Sequence, residues 1–265
     1  MHPIDKALAT ELLGVAHALA DAARPAILPH FRSHDLLFDS KSADVDPVTG
    51  ADRAAERAMR DILARSRPQD GILGEEYGAR QGKSGLTWIL DPIDGTRGFL
   101  SGTPTWGVLI AVSGPDGPIL GVIDQPYIGE RFSGSPEGAV LTGPLGKTPL
   151  STRAPRPLSE AIVLTTFPEV GTEAEGAAFR RVAQAAKLTR YGMDCYGYAL
   201  VAVGQVDLVI EAGLAPYDVA APIAVIEAAG GTVTNWEGGP AHPGGQVIAA
   251  ANPAIHAEAL GRLQV

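Results

Sequence analysis

The stretch Trp88–Leu100, WILDPIDGTRGFL, constrains the fold more than any other part of the chain. Trp88, Ile89 and Leu90 form a short apolar run of the kind that fills a buried strand. The run ends on Asp91, and Pro92 cannot donate to a strand ladder, so the strand is expected to stop at a carboxylate. Asp94 follows, and then Gly95-Thr96, where the backbone can turn tightly and offer free N–H groups to an anion. A bare DxxDG reads best as Asx-turns beside a turn glycine. Two hard oxygen ligands beside such donors also suit Mg²⁺ together with phosphate, and the rest of the chain has to decide between the two.

At 265 residues the chain can bury one substantial core or two modest ones. With 45% hydrophobic and 19% charged residues it is too apolar for a disordered chain. The balance of 21 basic against 30 acidic residues, a formal charge of −9, argues against nucleic acid or an anionic membrane as partner. Cys195 is the sole cysteine, which excludes an intrachain disulfide and a Cys-based zinc cluster and suggests a reducing compartment. The N-terminal MHPIDKALATELLG has no basic-then-apolar leader, and no apolar run is long enough to span a bilayer. A cytoplasmic location is expected.

Ile4, Leu8, Leu12, Val15 and Leu19 fall at helical spacing within residues 4–31, with Pro25 placed to end or kink that helix. His17 and His30 read as surface or cap residues, since neither has a carboxylate or second histidine at helical spacing. After the polar, turn-rich residues 41–52, Ala55, Ala58, Ile62 and Leu63 mark an amphipathic helix, and Thr49 with Asp52 fits a capping box at its start. Gly71–Gly74 reads as a short strand ending in Glu75-Glu76, with Gly74 letting the backbone turn so that a carboxylate enters a cleft. Residues 106–142 hold the β-rich runs WGVLIAV, ILGVID and AVL between Gly/Pro/Asp turns, the pattern of an antiparallel meander. Gly143–Thr148 imitates the end of a P-loop, but Leu141 stands where that motif needs glycine, and no G-x-G-x-x-G opens a helix after a strand.

The Pro/Ser/Thr-rich segment 148–159 is the best linker, dividing an N-terminal α+β half (1–147) from a C-terminal α/β half (148–265). In the second half strands are expected at 161–167, 206–210, 232–234 and 246–250, and helices at 173–187, 194–203, 217–229 and 253–263. Glu211–Asp218 joins a strand end to a helix start, where Asp218 could simply favour the helix N-terminus. Asp194 could likewise cap a helix beginning at Cys195.

The six consecutive residues Asp91-Pro92-Ile93-Asp94-Gly95-Thr96 resemble the signature of the inositol monophosphatase superfamily, Mg²⁺-dependent phosphomonoesterases. The resemblance implies an alternating α-β-α-β-α layered sandwich of the α/β (α+β) class. It makes Glu75, Asp91, Asp94, Asp218 and the carbonyl of Ile93 metal ligands, for two or three Mg²⁺ per site, with Mn²⁺ possible as substitute. Asp46, in a D-x-V-T segment, acts with Thr96 and Glu75 on the attacking water, while N–H groups of Gly95 and Thr96 hold the phosphate. Asp94, Asp194, Glu211 and Asp218 face the remainder of the substrate, and family members are commonly homodimers. Independently of the resemblance, four carboxylates in one cleft would raise each other's pKa values unless cations were present, and all-oxygen ligation favours Mg²⁺ or Mn²⁺ over Zn²⁺.

Three further strings, Thr96–Phe99 with Ser101–Gly107, Gly121–Pro126 and Asp194–Tyr198, look like the histidinol-phosphate phosphatase branch. Inositol monophosphatases usually carry Asn in place of Gly98, and a G-S-A-A segment where this chain has Asp194-Cys195-Tyr196-Gly197; Met193 departs from the glycine expected before Asp-Cys. The implied reaction is hydrolysis of L-histidinol phosphate by in-line attack of water. An inositol-1-phosphate or broad sugar-phosphate phosphatase is the alternative, and a catalytically silent metal- or ligand-binding homologue is the reading outside enzymology. Cys195 lacks the HC-x₅-R setting of a nucleophilic phosphatase cysteine and reads as a packing residue.

Overall fold

The computed structural model describes residues 4–33, 38–40 and 47–264. The chain begins with helix α1 (Lys6–Ile27), the short paired strands β1 (Phe38–Ser40) and β2 (Pro47–Thr49), and helix α2 (Gly50–Ser66). Strands β3 (Gly71–Gly74), β4 (Gly78–Arg80) and β5 (Thr87–Asp94) lead into the single-turn helix α3 (Thr96–Ser101). A meander follows: β6 (Gly107–Gly114), β7 (Gly117–Gln125), β8 (Glu130–Ser135), β9 (Gly138–Gly143) and β10 (Gly146–Pro149). The remainder is β11 (Ile162–Thr165), α4 (Glu173–Ala183), β12 (Leu188–Tyr191), α5 (Asp194–Ala202), β13 (Leu208–Leu214), α6 (Pro216–Ala228), β14 (Thr232–Thr234), β15 (Gly245–Ala250) and α7 (Pro253–Leu263).

Two sheets organise these elements, one of eight strands in the order β10-β9-β8-β7-β6-β5-β3-β4 and one of five in the order β12-β11-β13-β15-β14. Side chains alternate across a strand, and the alternation sorts the core into three slabs. Trp88, Leu90, Val108, Ile110 and Val122 face α1 and α2, burying Leu12, Leu19, Ala55 and Met59. Ile89, Leu109, Ala111 and Ile123 face the other way, onto Ala199, Val219 and Val225 of α5 and α6, which meet Val209, Val247 and Ala249 of the second sheet. The far side of that sheet, Val163, Leu208, Ile210 and Ile248, is closed by Phe179 and Val182 of α4 and Ile255 and Ala259 of α7. The result is the α-β-α-β-α sandwich expected from the sequence.

The middle layer is thin because its residues are small. A Cβ on Gly121 would lie 2.6 Å from the Ala221 carbonyl, and one on Gly134 would lie 2.5 Å from Val225 Cα, so α6 rests almost directly on β7 and β8. The connection after β10 is pinned rather than loose: fully buried Asp207 accepts from Arg153 at 2.9 Å and from the Ile162 N–H at 2.9 Å.

Several elements depart from the sequence expectation. Pro25 lies inside the last turn of α1, which runs on to Ile27. Strand β5 does not stop at Asp91: it continues through Pro92 to Asp94, with an irregular register against β6 between those two carboxylates. The helix expected over 173–187 ends at Ala183, and Leu188–Tyr191 forms an edge strand parallel to β11. The strand expected over 206–210 is shifted to Leu208–Leu214. His17 is neither cap nor ligand; its Nε2 lies 3.0 Å from Ser133 Oγ and ties α1 to β8. Among the described residues no helix is long and apolar enough to cross a membrane.

Candidate active site

Strands β3 and β5 run parallel, as do β11 and β13, and ligand sites in α/β sheets form beyond the carboxyl ends of such strands. A cavity of about 420 Å³ lies there, lined by Glu75 after β3, Asp91 and Asp94 of β5, Thr166 after β11, and Glu211 of β13. Asp194 and Tyr198 of α5 and Asp218 of α6 complete its acidic wall.

The irregularity in β5 makes this arrangement possible. Residues three apart on a regular strand point to opposite faces, but the extra residue of a bulge re-aims one of them, and proline is tolerated at such a point. Asp91 and Asp94 therefore both line the cavity, and their oxygens lie with one of Asp218 within 4.8 Å of one another. Two of these three carboxylates have an anchor. Asp94 Oδ2 accepts from the Cys195 N–H at 2.8 Å, and Asp218 Oδ2 accepts from the Ala215 N–H at 2.7 Å, so Asp218 serves the helix start and the cluster together. Glu75 is placed by its N–H, which donates to the Leu90 carbonyl at 3.1 Å.

Burial, and then the charges of Glu75, Asp94, Asp218 and Asp52, push Asp91 well above the carboxylate range. Burial, Asp218 and Asp194 do the same to Asp94, against the Cys195 hydrogen bond. Asp91 Oδ1 is buried and has no hydrogen-bond partner among the described residues. Such an oxygen, beside the carboxylates of Asp94 and Asp218 and with no histidine among the described residues lining the cavity, fits a hard divalent cation such as Mg²⁺.

Gly95 has φ 81° and precedes α3, and the Thr96 hydroxyl donates to the Ile93 carbonyl at 3.2 Å. Over this turn lies Asp194, whose backbone has φ 45°, a conformation that is strained for a residue with a side chain. Asp194 does not cap α5, which starts at Asp194 itself; its Oδ2 accepts from Thr105 Oγ1 at 2.8 Å. Both glycines of the turn make room for it: a Cβ on Gly95 would lie 2.7 Å from Asp194 Cβ, and one on Gly98 would lie 2.8 Å from Asp194 Oδ2. Burial raises the Asp194 carboxyl, while the Thr105 bond and the charge of Arg97 oppose that rise.

Glu211 accepts from Thr165 Oγ1 at 3.1 Å, Thr166 N at 2.6 Å and Thr166 Oγ1 at 2.9 Å, yet burial still lifts it to about 7. The Arg97 guanidinium sits 4.6 Å over the Phe167 ring at the rim. Burial pushes the Cys195 thiol well up, which suits a packing cysteine. Asp46 and the Thr49 side chain, with the capping box read there, lie outside the described residues. Thr105, Thr165, Thr166, Phe167 and buried Asp52 were not legible as site residues; the signal for the first four is hydroxyls and an aromatic clustered at strand ends.

A layered α/β fold here collects acidic side chains from both sheets around one cation-suited cavity, an arrangement suited to metal-dependent hydrolysis. Residues 8–265 match the inositol monophosphatase family, and the chain belongs to it. It is 42% identical over 262 residues to the bifunctional phosphatase IMPL2, chloroplastic, of Arabidopsis thaliana, covering 94% of this chain and 74% of that one. It is 36% identical to a histidinol-phosphatase of Streptomyces coelicolor, covering 95% and 96% of the two chains. A solved inositol monophosphatase from Zymomonas mobilis superposes with a TM-score of 0.86 at 38% identity, over 97% of this chain and 98% of that one.

Proposed function

We propose that the chain hydrolyses a phosphate monoester whose alcohol carries positive charge, with L-histidinol phosphate as substrate and histidine biosynthesis as its setting. The carrying observation is the second pair of carboxylates, Asp194 and Glu211, in the wall of the same cavity as the metal carboxylates. An ammonium or protonated imidazole meets charge-assisted hydrogen bonds there, roughly twice as strong as the neutral bonds open to inositol hydroxyls. The histidinol-phosphatase names among the relatives support the same reading.

Glu75, Asp91, Asp94, Asp218 and the Ile93 carbonyl are the groups that would hold two or three Mg²⁺. When bound, the cations supply Lewis acidity and neutralise charge on the phosphoryl group. The Thr96 hydroxyl spends its proton on the Ile93 carbonyl, which leaves its lone pairs to accept a hydrogen bond from the attacking water. Asp46 and Glu75 join Thr96 in orienting that water, and its proton passes to one of these two carboxylates. The N–H groups of Gly95 and Thr96, at the start of α3, hold phosphate oxygens. Asp94 and Asp218 extend from the metal side toward the alcohol. The reading includes a homodimer acting in the cytoplasm, checked by light scattering and cell fractionation.

Phosphate release with Mg²⁺ from histidinol phosphate and inositol 1-phosphate tests the proposal. Asp194→Asn should lower kcat/KM for histidinol phosphate roughly 10-fold, about 1.4 kcal/mol, and affect inositol 1-phosphate much less. Equal losses on both substrates, or a wild-type preference for inositol 1-phosphate, would replace this reading with the inositol-phosphatase one.

A further inference from the structure

One face of α2 is spent entirely on the turn that follows β3. Arg53, Glu56, Arg57 and Arg60 stand at i, i+3, i+4 and i+7, the spacing that puts four side chains on one side of a helix. Glu56 is fully buried; its Oε2 accepts from the Glu76 N–H at 2.7 Å, and its Oε1 accepts from the Tyr77 N–H at 3.3 Å and Arg60 Nε at 2.7 Å. Arg60 also donates to the Gly78 carbonyl, Arg57 donates to the Tyr77 hydroxyl at 2.9 Å, and Arg53 pairs with Glu76 at 3.5 Å.

Gly74 belongs to the same device. Its role is not the free turn expected from the sequence: a Cβ there would lie 2.0 Å from Glu56 Oε1, so glycine is needed for the carboxylate to reach the turn. The segment 74–78 is thus held from both sides, by the Leu90 carbonyl on the Glu75 N–H and by Glu56 and Arg60 on the next three residues. Only Glu75 of this turn lines the cavity, and Glu56 does not.

We propose that Glu56 is a positioning residue of the metal site, acting through Glu75 by fixing the backbone of the β3–β4 turn. The inference rests on the assignment of Glu75 as a metal ligand. Groups that orient ligands typically set metal affinity by 10- to 100-fold, and a carboxylate held by two backbone N–H groups and an arginine has little freedom to let its turn drift. Glutamine at 56 keeps the volume but offers one acceptor oxygen for three donors, so the turn loosens.

The test is Mn²⁺ binding by calorimetry to the substrate-free full chain, for wild type, Glu56→Gln, Glu75→Gln and the double variant, with Mg²⁺ half-saturation in the phosphatase assay beside it. Glu56→Gln should weaken Mn²⁺ binding roughly 10-fold and raise the Mg²⁺ requirement in parallel. The double variant should bind no more weakly than Glu75→Gln alone, because two residues acting through one ligand are not additive. Unchanged Mn²⁺ affinity in Glu56→Gln, or additive losses in the double variant, overturns the proposal. Unchanged affinity in Glu75→Gln overturns instead the ligand assignment beneath it. If Glu56→Gln does not fold, Arg60→Lys, which keeps charge beside Glu56 but loses the fork to Gly78, should show a smaller loss that vanishes in the Glu75→Gln background.

Discussion

Replacing Gly98 by alanine probes the seat of Asp194 without replacing any carboxylate. The new methyl would lie 2.8 Å from Asp194 Oδ2 and 2.9 Å from Thr105 Oγ1, between the two partners of a 2.8 Å hydrogen bond. Neither can swing aside freely, since Asp194 Cβ already sits against Gly95 and the Asp194 backbone is held at φ 45°. Loss of a hydrogen bond to a charged group costs about 1.5–3 kcal/mol. Alanine recovers about 0.5–1 kcal/mol over glycine inside a helix, leaving a net loss of about 0.5–2.5 kcal/mol. For a chain of this size, where 1 kcal/mol shifts Tm by about 2 °C, that is a fall in Tm of about 1–5 °C. Displacement of the carboxylate should lower kcat/KM for histidinol phosphate roughly 10-fold, while inositol 1-phosphate loses less. Differential scanning fluorimetry and phosphate release at saturating Mg²⁺ read both effects. A variant with a raised Tm and unaltered kcat/KM would refute the argument, because the methyl would then have displaced nothing.

Two further outcomes follow from the buried carboxylates. Glu211 titrates at about 7 in the fold, against 4.5 for an ordinary glutamate, so the native state holds the extra proton and stability falls as pH rises between those values, by about 3 kcal/mol in all; in metal-free buffer, Tm should fall from pH 5 to 8 more steeply in wild type than in Glu211→Gln, and identical slopes would contradict this. Because a cationic substrate needs ionised Glu211, kcat/KM for histidinol phosphate should also rise through about pH 7 in wild type and lose that rise in Glu211→Gln. Mg²⁺ should raise the wild-type Tm, by about 2.7 kcal/mol of stabilisation at 100 times its Kd, whereas Asp94→Asn, relieved of one buried charge, should be at least as stable without metal and gain little from it. A Mg²⁺ response that is the same in both proteins would remove Asp94 from the cation site.

What the sequence made legible was local. The closing helix was readable because Pro253 suits a first helical turn, and it spans Pro253–Leu263 as expected, with Asn252 capping it. The strand, turn and acidic pattern around Asp91 and Asp94 pointed to the cavity. What it hid was non-local. Pro92 reads as a strand terminator until β6 is present to continue the pairing beyond it. Leu188–Tyr191 is an edge strand whose ends, Leu188 and Tyr191, are 45% exposed, so no buried apolar stripe separates it from the preceding helix. Gly74 looks like a turn glycine in one dimension and Gly98 like a mark of one family branch, and only the facing carboxylates of Glu56 and Asp194 show that the missing Cβ is what matters.

The same non-locality explains how one cavity tolerates so many like charges. Asp94 is held by Cys195, 101 residues away; Asp194 by Thr105, 89 away; Glu211 by Thr166, 45 away. The first two bonds join α5 to β5 and to the loop leading into β6, and the third joins the end of β11 to its neighbour β13 in the second sheet, so Asp94 and Asp194 cannot relax away from their neighbours without breaking a contact between layers of the sandwich. Repulsion that would open a loop-borne cluster is instead borne by packed sheets and helices, and the side chains stay aimed before any ligand arrives. A cation then meets a site already formed, and the binding energy that would otherwise order the ligands goes into stabilising the fold. The Mg²⁺-dependent rise in Tm therefore reports the affinity of that preformed site at a given Mg²⁺ concentration.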